Sequence, residues 1–314
     1  MNKPILSICI PTYNRSEYLK ECLDSVVSQL EEDKRLTNLV EIVISDNNSK
    51  DDTEELVRNF QNKYRFIKYF KNKINIGSVK NVAKLAMRAK GTFIWLLADD
   101  DIHKKGSIKT AIRIISNFNQ DIIICNSDQF NTNVNKPIFN NSLQLTKDVL
   151  IDNRKDLFVF LESKFIYIID WYLNFVSSFI FKRQIYFQNK YLIKKYNGFS
   201  DVSFSQAAII YYSKKNYSIY YLAKPLVMAR MGSHSWAANS QIKNAIAWSN
   251  AITNEYLNII HIHKDILSVK FIFLAFIRIL ISKAGIVVAL ITLFFPQKFK
   301  IYQKVIIFFD KMIR

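Results

Sequence analysis

Short apolar runs alternate with amphipathic segments along the first 125 residues of the chain. Short apolar runs closed by turn residues are typical of buried strands, and apolar residues spaced three and four positions apart are typical of helices. The pattern predicts five strands, at 6–10, 40–44, 66–70, 92–97 and 121–125. It predicts helices that begin near Ser16 and Asp51, and two more at 78–89 and 106–118. This alternation favours an α/β fold with a mostly parallel sheet, right-handed crossovers and flanking helices.

The pattern is less regular from residue 126 onward. Residues 126–141 hold six Asn in sixteen positions, which predicts a loop. Further along, the pattern predicts a helix at 147–164, a strand at 176–181, a loop leading into a helix at 198–212, two short strands within 217–230 and a polar turn at 231–236. We therefore expect one domain over residues 1–235, with a first half at 1–125 and a second half at 126–235.

The composition changes near Ile266, where Ile, Leu, Val and Phe become frequent among basic residues. The longest run there without a charged residue or proline, 284–295, has 12 residues, short of the roughly 20 that a membrane-spanning helix needs. Apolar and basic residues together are typical of helices that lie in a membrane interface. We therefore expect residues 236–314 to form a C-terminal amphipathic helical extension that contacts an anionic membrane surface. The alternative is a helical cap packed on the main domain.

The net charge and the cysteine content narrow the classes of function and partner that the sequence favours. The net charge is +18, and residues 202–314 hold 14 Lys/Arg against 3 Asp/Glu. Such an excess suits nucleic acid, anionic lipid or phosphate-bearing substrates, but no base-reading module is recognisable, so no nucleic-acid partner is expected. The three cysteines, Cys9, Cys22 and Cys125, are odd in number and lack metal-ligand spacing. A disulfide framework and a Cys-based zinc site are therefore not expected, and a reducing cytoplasm is the favoured compartment.

Polar clusters follow three of the predicted strands. They are Thr12-Tyr13-Asn14 after the first, Asp46-Asn47-Asn48 after the second and Asp99-Asp100-Asp101 after the fourth. In parallel sheets, ligands bind beyond the carboxyl ends of the strands. Three polar clusters at one edge of a sheet therefore predict a binding site there.

The Asp triplet is the sharpest of these features. Adjacent carboxylates raise each other's pKa, and a bound divalent cation removes that cost. Hard oxygen ligands suit Mg²⁺ or Mn²⁺. The triplet therefore indicates a metal site that uses Asp100 and Asp101. The alternative is a solvated acidic turn.

The other clusters allow two interpretations each. Asp46 either accepts a hydrogen bond from the N–H of a nucleotide base, or forms an Asx-turn or a cap for the helix that begins near Asp51. Thr12 and Tyr13 either offer backbone donors and an aromatic face to that base or form a turn. Asn75 and Gly77 precede a predicted helix, where glycine permits close approach of a ligand and the helix N-terminus favours anions. A simple turn is the alternative there.

Three residues of the second half are further candidates. Arg230 and His234 would neutralise a diphosphate leaving group, with Arg230 on phosphate oxygens and His234 on a metal. A structural role is the alternative for both. Asp201 precedes an apolar helix, where it acts either as a general base toward an acceptor hydroxyl or as a helix cap.

In this order, the motifs resemble those of the family 2 glycosyltransferases with the GT-A fold. The resemblance rests on the segments 7–15 (SICIPTYNR), 44–47 (ISDN), 75–77 (NIG) and 97–101 (LADDD), with weaker similarity at 177–183 and 225–230. It covers about the first 120 residues. Within the family, the CIPTYNR opening, the ISDN turn and a Pro-Leu-Val segment followed by Arg are most similar to the abequosyltransferases of bacterial O-antigen assembly.

The resemblance implies roles for matching positions. Thr12, Tyr13 and Asp46 would contact the nucleotide base, Asn75 and Gly77 would lie near the ribose and diphosphate, and Asp100 would bind the metal. The usual first Asp of the L-D-x-D-D pattern is Ala98 here, which shifts the ribose contact to Asp99. The acceptor-side E-D pair is not intact, since the best candidate is Ser200-Asp201.

The resemblance also implies an activity. The protein would move a sugar from a nucleotide-sugar donor to a polyprenyl-diphosphate-linked saccharide acceptor, with inversion and with Mn²⁺ or Mg²⁺, in O-antigen or related polysaccharide synthesis. Residues 1–125 would form the nucleotide-sugar half and residues 126–235 the acceptor half. The expected location is the inner face of the bacterial cytoplasmic membrane. Ala98 and the incomplete base motif leave an alternative, a catalytically impaired member that acts as a binding or assembly subunit.

Overall fold

The computed structural model describes residues 3–131, 134–164, 175–190 and 213–231, together with residues 253, 256–257, 259–263, 265–276 and 279. The chain divides into two compact units, Met1–Ser233 and His234–Arg314. The described part of the first unit contains a sheet and its helices, and the described part of the second is helical at 259–263 and 269–276.

Nine strands are present in the described part of the first unit. They are β1 (Leu6–Thr12), β2 (Val40–Asp46), β3 (Ile67–Lys71), β4 (Phe93–Leu96), β5 (Ile102–His103), β6 (Ile122–Phe130), β7 (Val149–Ile151), β8 (Phe179–Lys182) and β9 (Ile219–Arg230). The helices described there are α1 (Ser16–Glu32), α2 (Thr53–Lys63), α3 (Ser78–Arg88), α4 (Ser107–Asn117), α5 (Arg154–Ser163) and α6 (Arg183–Gln188). Short 3₁₀ turns occupy Lys34–Asn38 and Val176–Ser178.

The strands form a single mixed sheet in the order β3-β2-β1-β4-β8-β6-β9-β5, and β7 pairs with β9. The first four strands along this order, β3 to β4, run parallel to one another. Strand β8 is antiparallel to both of its neighbours, and β6 is parallel to β9. The predicted α/β fold with a mostly parallel sheet and flanking helices is confirmed, and the structure adds antiparallel strands in the second half.

The core lies on both faces of the parallel strands. Side chains of β1 alternate between the faces, yet Leu6 to Ile10 are all buried. Strands covered on both faces are continuous apolar runs, which explains why the sequence pattern located them well. Leu19, Leu23 and Val26 of α1 pack in the same cluster as Ile8 and Ile42.

The loop predicted at 126–141 is wrong for its first five residues. Strand β6 continues through Asn126, Ser127 and Asp128, all of which are buried. The amide of Asn126 donates to the carbonyl of Ala223 at 2.7 Å, and its side-chain oxygen accepts from the backbone N–H of Leu143 at 3.0 Å. Polar residues occupy this strand because its neighbours satisfy their hydrogen bonds.

Three other predictions in this half need correction. The helix predicted at 147–164 is a short strand, β7, followed by α5, which begins after Asn153 caps it by accepting from the N–H of Asp156. The strand predicted at 176–181 begins with a 3₁₀ turn. The two strands predicted within 217–230 are one, and Pro225 lies opposite Asn126 at a register shift, which a bulge accommodates.

The start of β4 is held to β1 and β2 by a buried polar cluster around Gly91. Ser7 Oγ donates to Glu41 Oε1 at 2.6 Å, and the N–H of Gly91 donates to Ser7 Oγ at 2.8 Å. The N–H of Lys90 also donates to Glu41, at 2.5 Å. A side chain at position 91 would collide with this cluster, so glycine is required for the close approach of the strands.

Replacing Gly91 by Ala should destabilise the sheet. The added methyl carbon would lie 2.6 Å from the backbone nitrogen of Ser7 and 2.8 Å from the carbonyl oxygen of Phe93. Backbone atoms cannot rotate away from a clash as the end of a flexible side chain can. We therefore expect the free energy of unfolding to fall by about 1–3 kcal/mol in urea titrations. Lys90→Ala, an exposed neighbour whose bond uses only its backbone, is the matched control with a change within about 0.5 kcal/mol. Equal stability of the two variants would contradict this account.

Candidate active site

The loops that follow β1 and β2 are joined at the carboxyl edge of the sheet. Thr12 pairs with Asp46 in the parallel register, and the N–H of Asn47 donates to the carbonyl of Thr12 at 2.9 Å. The N–H of Asn14 donates to Ser49 Oγ at 2.9 Å. These bonds make one surface of two loops that are 30 residues or more apart along the chain, as the strand-end pattern predicts.

Asp46 lies fully buried at the centre of this surface. One carboxylate oxygen accepts from the N–H of Ser49 at 2.7 Å, and the other accepts from the Tyr69 hydroxyl at 2.6 Å. Burial and this carboxylate raise the pKa of Tyr69, so the phenol stays a neutral donor. The local bond to Ser49 is the turn that the sequence left open as an alternative. Each carboxylate oxygen can still accept a second bond.

Asn75 and Gly77 lie beside the same loop. Asn47 Nδ2 donates to Asn75 Oδ1 at 2.7 Å, and the N–H of Gly77 donates to that oxygen at 2.9 Å. Gly77 has a φ of +82° and no atom within 4 Å of the place of a Cβ. The chain therefore enters α3 through a left-handed, exposed glycine, which leaves space for a ligand at the start of that helix.

A buried group of amides behind the β2 loop was not predicted. Asn81 Nδ2 donates to the carbonyl of Ser45 at 2.7 Å, and Asn81 Oδ1 accepts from the Ser45 hydroxyl at 2.7 Å. Asn72 Nδ2 donates to Asn81 Oδ1 at 2.8 Å and lies 3.2 Å from Asn47 Oδ1. Asn47 lies in a predicted turn and Asn81 lies within the helix predicted at 78–89, so no local pattern indicates that these side chains meet.

Thr12 and Tyr13 differ in exposure. Thr12 is buried, and its backbone carbonyl accepts from the N–H of Asn47. Tyr13 is 41% exposed and presents its ring to solvent. The first cluster therefore joins the second through the backbone of Thr12, and it leaves Tyr13 exposed to solvent.

The Asp triplet is buried, with exposures of 6% for Asp99, 7% for Asp100 and 3% for Asp101. The alternative of a solvated acidic turn is therefore wrong. Burial raises the pKa of Asp99 to about 7 against the opposing effect of the Arg15 guanidinium. Burial, with the charge of Asp100, raises the pKa of Asp101 well above its usual range. The site thus holds carboxyl groups whose charge needs nearby cations.

Arg15 and Arg230 supply cations to the triplet. Arg15 Nη1 lies 3.3 Å from an Asp99 oxygen, and Arg15 Nη2 lies 2.8 Å from an Asp100 oxygen. Arg230 Nε donates to the carbonyl of Asp100 at 3.0 Å, and its Nη2 pairs with Glu21. The sequence pattern placed Arg230 in the site but assigned it to a diphosphate, whereas its guanidinium is engaged by protein atoms here. It did not identify Arg15 or Glu21.

Asp101 differs from its two neighbours. One carboxylate oxygen accepts from the Ser177 hydroxyl at 2.5 Å and the other from the N–H of Arg230 at 2.9 Å. These bonds tie the loop after β4 to the 3₁₀ turn before β8 and to the end of β9. Asp101 therefore holds the loop after β4 against these two elements.

His103, two residues after the triplet along the chain, carries no positive charge. Its ring is buried with its centroid 4.2 Å from that of Trp95, and burial lowers its pKa to about 3. It is therefore neutral at physiological pH. The positive charge that faces the triplet from its described neighbours is that of the two arginines.

The acid pair Asp99 and Asp100 fits a divalent cation by chemistry, because it offers buried hard oxygens that already attract a cation. No group of three His, Cys, Asp or Glu that could hold a metal is present among the described residues. The predicted ligand His234 and the predicted base Asp201 lie outside the described residues. Ligand assignments to Asp100, Asp101 and His234 therefore stay predictions.

Solved structures of similar fold identify the fold class of this protein. Its structure is similar to that of TarS from S. aureus in complex with UDP-GlcNAc, with a TM-score of 0.57 and 18% identity over 81% of this chain and 66% of that one. It is also similar to the mannosyltransferase PcManGT from Pyrobaculum calidifontis in complex with GDP-Man and Mn²⁺. That match has a TM-score of 0.50 and 14% identity over 97% of this chain and 84% of the other. These similarities show a GT-A type α/β fold.

The family follows from the sequence comparison. The profile of glycosyl transferase family 2 matches residues 7–206, and the chain belongs to that family. It is 37% identical over 122 residues to the abequosyltransferase RfbV of Salmonella typhimurium, which is 38% of this chain and 35% of that protein. It is 35% identical over 111 residues to the GalNAc(5)-diNAcBac-PP-undecaprenol beta-1,3-glucosyltransferase of Campylobacter jejuni, which is 35% of this chain and 34% of that protein. The matches thus span about a third of these curated relatives.

Arg230→Gln should destabilise the protein. The substitution removes the bond to the Asp100 carbonyl, the pair with Glu21 and a guanidinium that lies 4.5 Å from the centroid of the Phe130 ring. We expect the free energy of unfolding in urea to fall by about 1–3 kcal/mol. Arg35→Gln, whose side chain is 81% exposed beside Asp33, is the matched control and should change little. An unaltered unfolding curve for Arg230→Gln would contradict the anchoring role.

Proposed function

We propose that this protein transfers a sugar from a nucleotide-diphosphate sugar to a polyprenyl-diphosphate-linked saccharide acceptor, in O-antigen or related surface polysaccharide synthesis. The observation that carries the proposal is the convergence of the loops after β1, β2 and β4 around buried acids in a family 2 chain. Membership of the family supports an activated sugar as donor. Both solved structures of similar fold named above are complexes with such donors, UDP-GlcNAc and GDP-Man.

The donor would lie on the surface formed by the first two loops. Asp46 would accept a hydrogen bond from the base, and the exposed Tyr13 ring would cover one face of that base. Thr12 would contact the same base, and Asn75 and Gly77 would face the ribose and diphosphate. The exposed backbone at Gly77, directly before α3, suits a phosphate group there. Asp99 would take the ribose contact in place of Ala98.

The metal would be held by Asp100, with Asp101 and His234 as further candidates. PcManGT was solved with Mn²⁺, which supports Mn²⁺ or Mg²⁺ as the ion here. A divalent ion at this place would neutralise charge on the departing nucleoside diphosphate. Asp101 would keep its bonds to Ser177 and the end of β9, and thereby fix the loop that carries Asp100.

The acceptor side is assigned from the sequence and the relatives. Asp201 would remove the proton of the acceptor hydroxyl as it attacks, with inversion at the sugar carbon. The name of the Campylobacter jejuni relative includes an undecaprenol-linked acceptor, which supports a lipid-linked acceptor here. Residues 1–125 would then bind the nucleotide sugar, and residues 126–235 would bind the acceptor.

The second unit would hold the enzyme at an anionic membrane surface on the cytoplasmic side. In the helical segment 269–276, Phe271 and Ala275 are buried, whereas Val269, Phe273 and Phe276 are 85%, 60% and 50% exposed. The exposed three are spaced four and three positions apart and so lie on one face. No helix among the described residues is both long and apolar enough to cross a membrane. An exposed apolar face in a basic region suits attachment to a membrane interface.

Asp100→Asn should abolish most of the sugar transfer and leave the fold intact. Loss of the ligand charge weakens neutralisation of the leaving diphosphate, so we expect kcat to fall by about 100-fold or more. The measurement is release of nucleoside diphosphate from a panel of nucleotide sugars, with Mn²⁺ and a lipid-linked acceptor. Asp24→Asn, an exposed carboxylate paired with Lys20, is the matched control.

Two outcomes would count against the proposal. Full activity of Asp100→Asn would defeat the metal assignment. Absence of turnover in the unsubstituted protein, combined with a normal rise in melting temperature on adding a nucleotide sugar and Mn²⁺, would instead favour the catalytically impaired binding subunit.

Charged substitutions on the exposed face of 269–276 should weaken membrane binding. We expect Val269→Glu combined with Phe273→Glu to reduce binding to phosphatidylglycerol vesicles by about tenfold or more, since two apolar side chains lose their burial in lipid. Vesicle flotation of the full chain is the measurement. Val159→Glu, at a 58% exposed position on α5, is the matched control. Equal binding of all three proteins would show that this face does not contact lipid.

A further inference from the structure

Arg15 occupies the acid pair from the side of the β1 loop. Its guanidinium contacts Asp99 at 3.3 Å and Asp100 at 2.8 Å, with a side-chain exposure of 15% against 8% and 10% for the two carboxylates. The guanidinium also lies 5.0 Å from the centroid of the Tyr18 ring. The positively charged guanidinium of Arg15 thus pairs with the two carboxylates that best fit a divalent metal ion.

The backbone that carries Arg15 is fixed. The residue before it, Asn14, makes two hydrogen bonds. Its N–H donates to Ser49 Oγ at 2.9 Å, and its side-chain oxygen accepts from the N–H of Lys50 at 2.7 Å. The N–H of Ser16 donates to Asp51 at 3.0 Å. These bonds hold the chain on either side of position 15. The long Arg15 side chain can therefore move its charged end while the loop stays in place.

The two arginines of the site differ in this respect. Arg230 is anchored at its backbone N–H by Asp101, at Nε by the Asp100 carbonyl and at Nη2 by Glu21. Its side chain is 7% exposed, whereas that of Arg15 is 15% exposed. Its bond to Asp100 goes to the carbonyl, so the Asp100 carboxylate is not needed for it. Arg15, in contrast, binds the carboxylate oxygens themselves.

Charge balance sets the two cations in competition. Carboxylates with a guanidinium beside them have part of their charge compensated already, and a second cation on the same oxygens would be repelled by the first. A negatively charged diphosphate arriving with the metal would offer the guanidinium a new partner, since Arg binds phosphate oxygens well. Metal and nucleotide would then favour each other's binding.

We propose that Arg15 is an internal counter-cation that occupies Asp99 and Asp100 in the metal-free protein and competes there with the divalent ion. The inference rests on the proposed function, because it takes this acid pair as the metal site. Arg15 thereby keeps the buried acids compensated between turnovers and makes metal binding depend on the nucleotide diphosphate.

Titration of the full chain with Mn²⁺ alone tests the competition. Free Mn²⁺ is followed by electron paramagnetic resonance, without nucleotide or acceptor. We expect Arg15→Gln to bind Mn²⁺ about tenfold more tightly than the unsubstituted protein, a change of the size that one neighbouring charge commonly makes. Its melting temperature without metal should be lower, and Mn²⁺ should raise it more. Arg35→Gln, an exposed arginine paired with Asp33, is the matched control.

A second variant protects the test against misfolding. Arg15→Lys keeps the charge but loses the planar fork that reaches both carboxylates, so its Mn²⁺ affinity should lie between the other two. With uridine or guanosine diphosphate present, the unsubstituted protein should gain more Mn²⁺ affinity than Arg15→Gln does. That difference is the coupling that the competition predicts.

The outcomes separate this inference from the proposed function. Equal or weaker Mn²⁺ binding by Arg15→Gln and Arg15→Lys would overturn the competition, even where nucleotide sugars bind and turn over. A complete lack of Mn²⁺ binding by all of these proteins would overturn it as well. Tighter Mn²⁺ binding by Arg15→Gln without any nucleotide-sugar binding or turnover would support the competition and count against the proposed function.

Discussion

The hydrogen-bonded pairing of β1 with β2 on one side and with β4 on the other brings the ends of three strands to one edge of the sheet. Each strand end carries a polar segment that a core could not bury. In the parallel register Thr12 pairs with Asp46, and Arg15 from the loop after β1 contacts Asp99 and Asp100. The candidate active site is therefore a consequence of strand order. Any change that separates β1 from β4 would separate Thr12 and Asp46 from the Asp triplet.

Electrostatics then decides what this edge can hold. Burying three successive carboxyl groups is unfavourable unless cations or donors face them. Arg15 faces Asp99 and Asp100, and Asp101 is bonded by Ser177 and by the backbone of Arg230. The triplet thus serves two purposes. Asp101 joins three elements of the fold, and the other two carboxylates are paired with the Arg15 guanidinium.

The first half of the fold was predictable because local pattern and tertiary environment agree there. Strands buried on both faces are largely apolar, and the turn residues that follow them are polar. In the second half, the structure departs from the prediction at positions where the local sequence pattern and the tertiary environment disagree. Asn126 lies in a strand because the Ala223 carbonyl and the Leu143 N–H satisfy its amide. Pro225 interrupts the pattern of β9 without ending it, because a bulge in the pairing with β6 accommodates it.

The sequence by itself determined the α/β rhythm, the order of the motifs and the placement of acids at strand ends. Each of these depends on residues close together along the chain. Only the tertiary structure decided which side chains complete the site. Arg15 meets Asp100 across 85 positions and Arg230 meets Glu21 across 209, and no local pattern encodes such pairs. They arise because parallel strands bring distant segments to a common edge, where buried charge selects its partner by geometry.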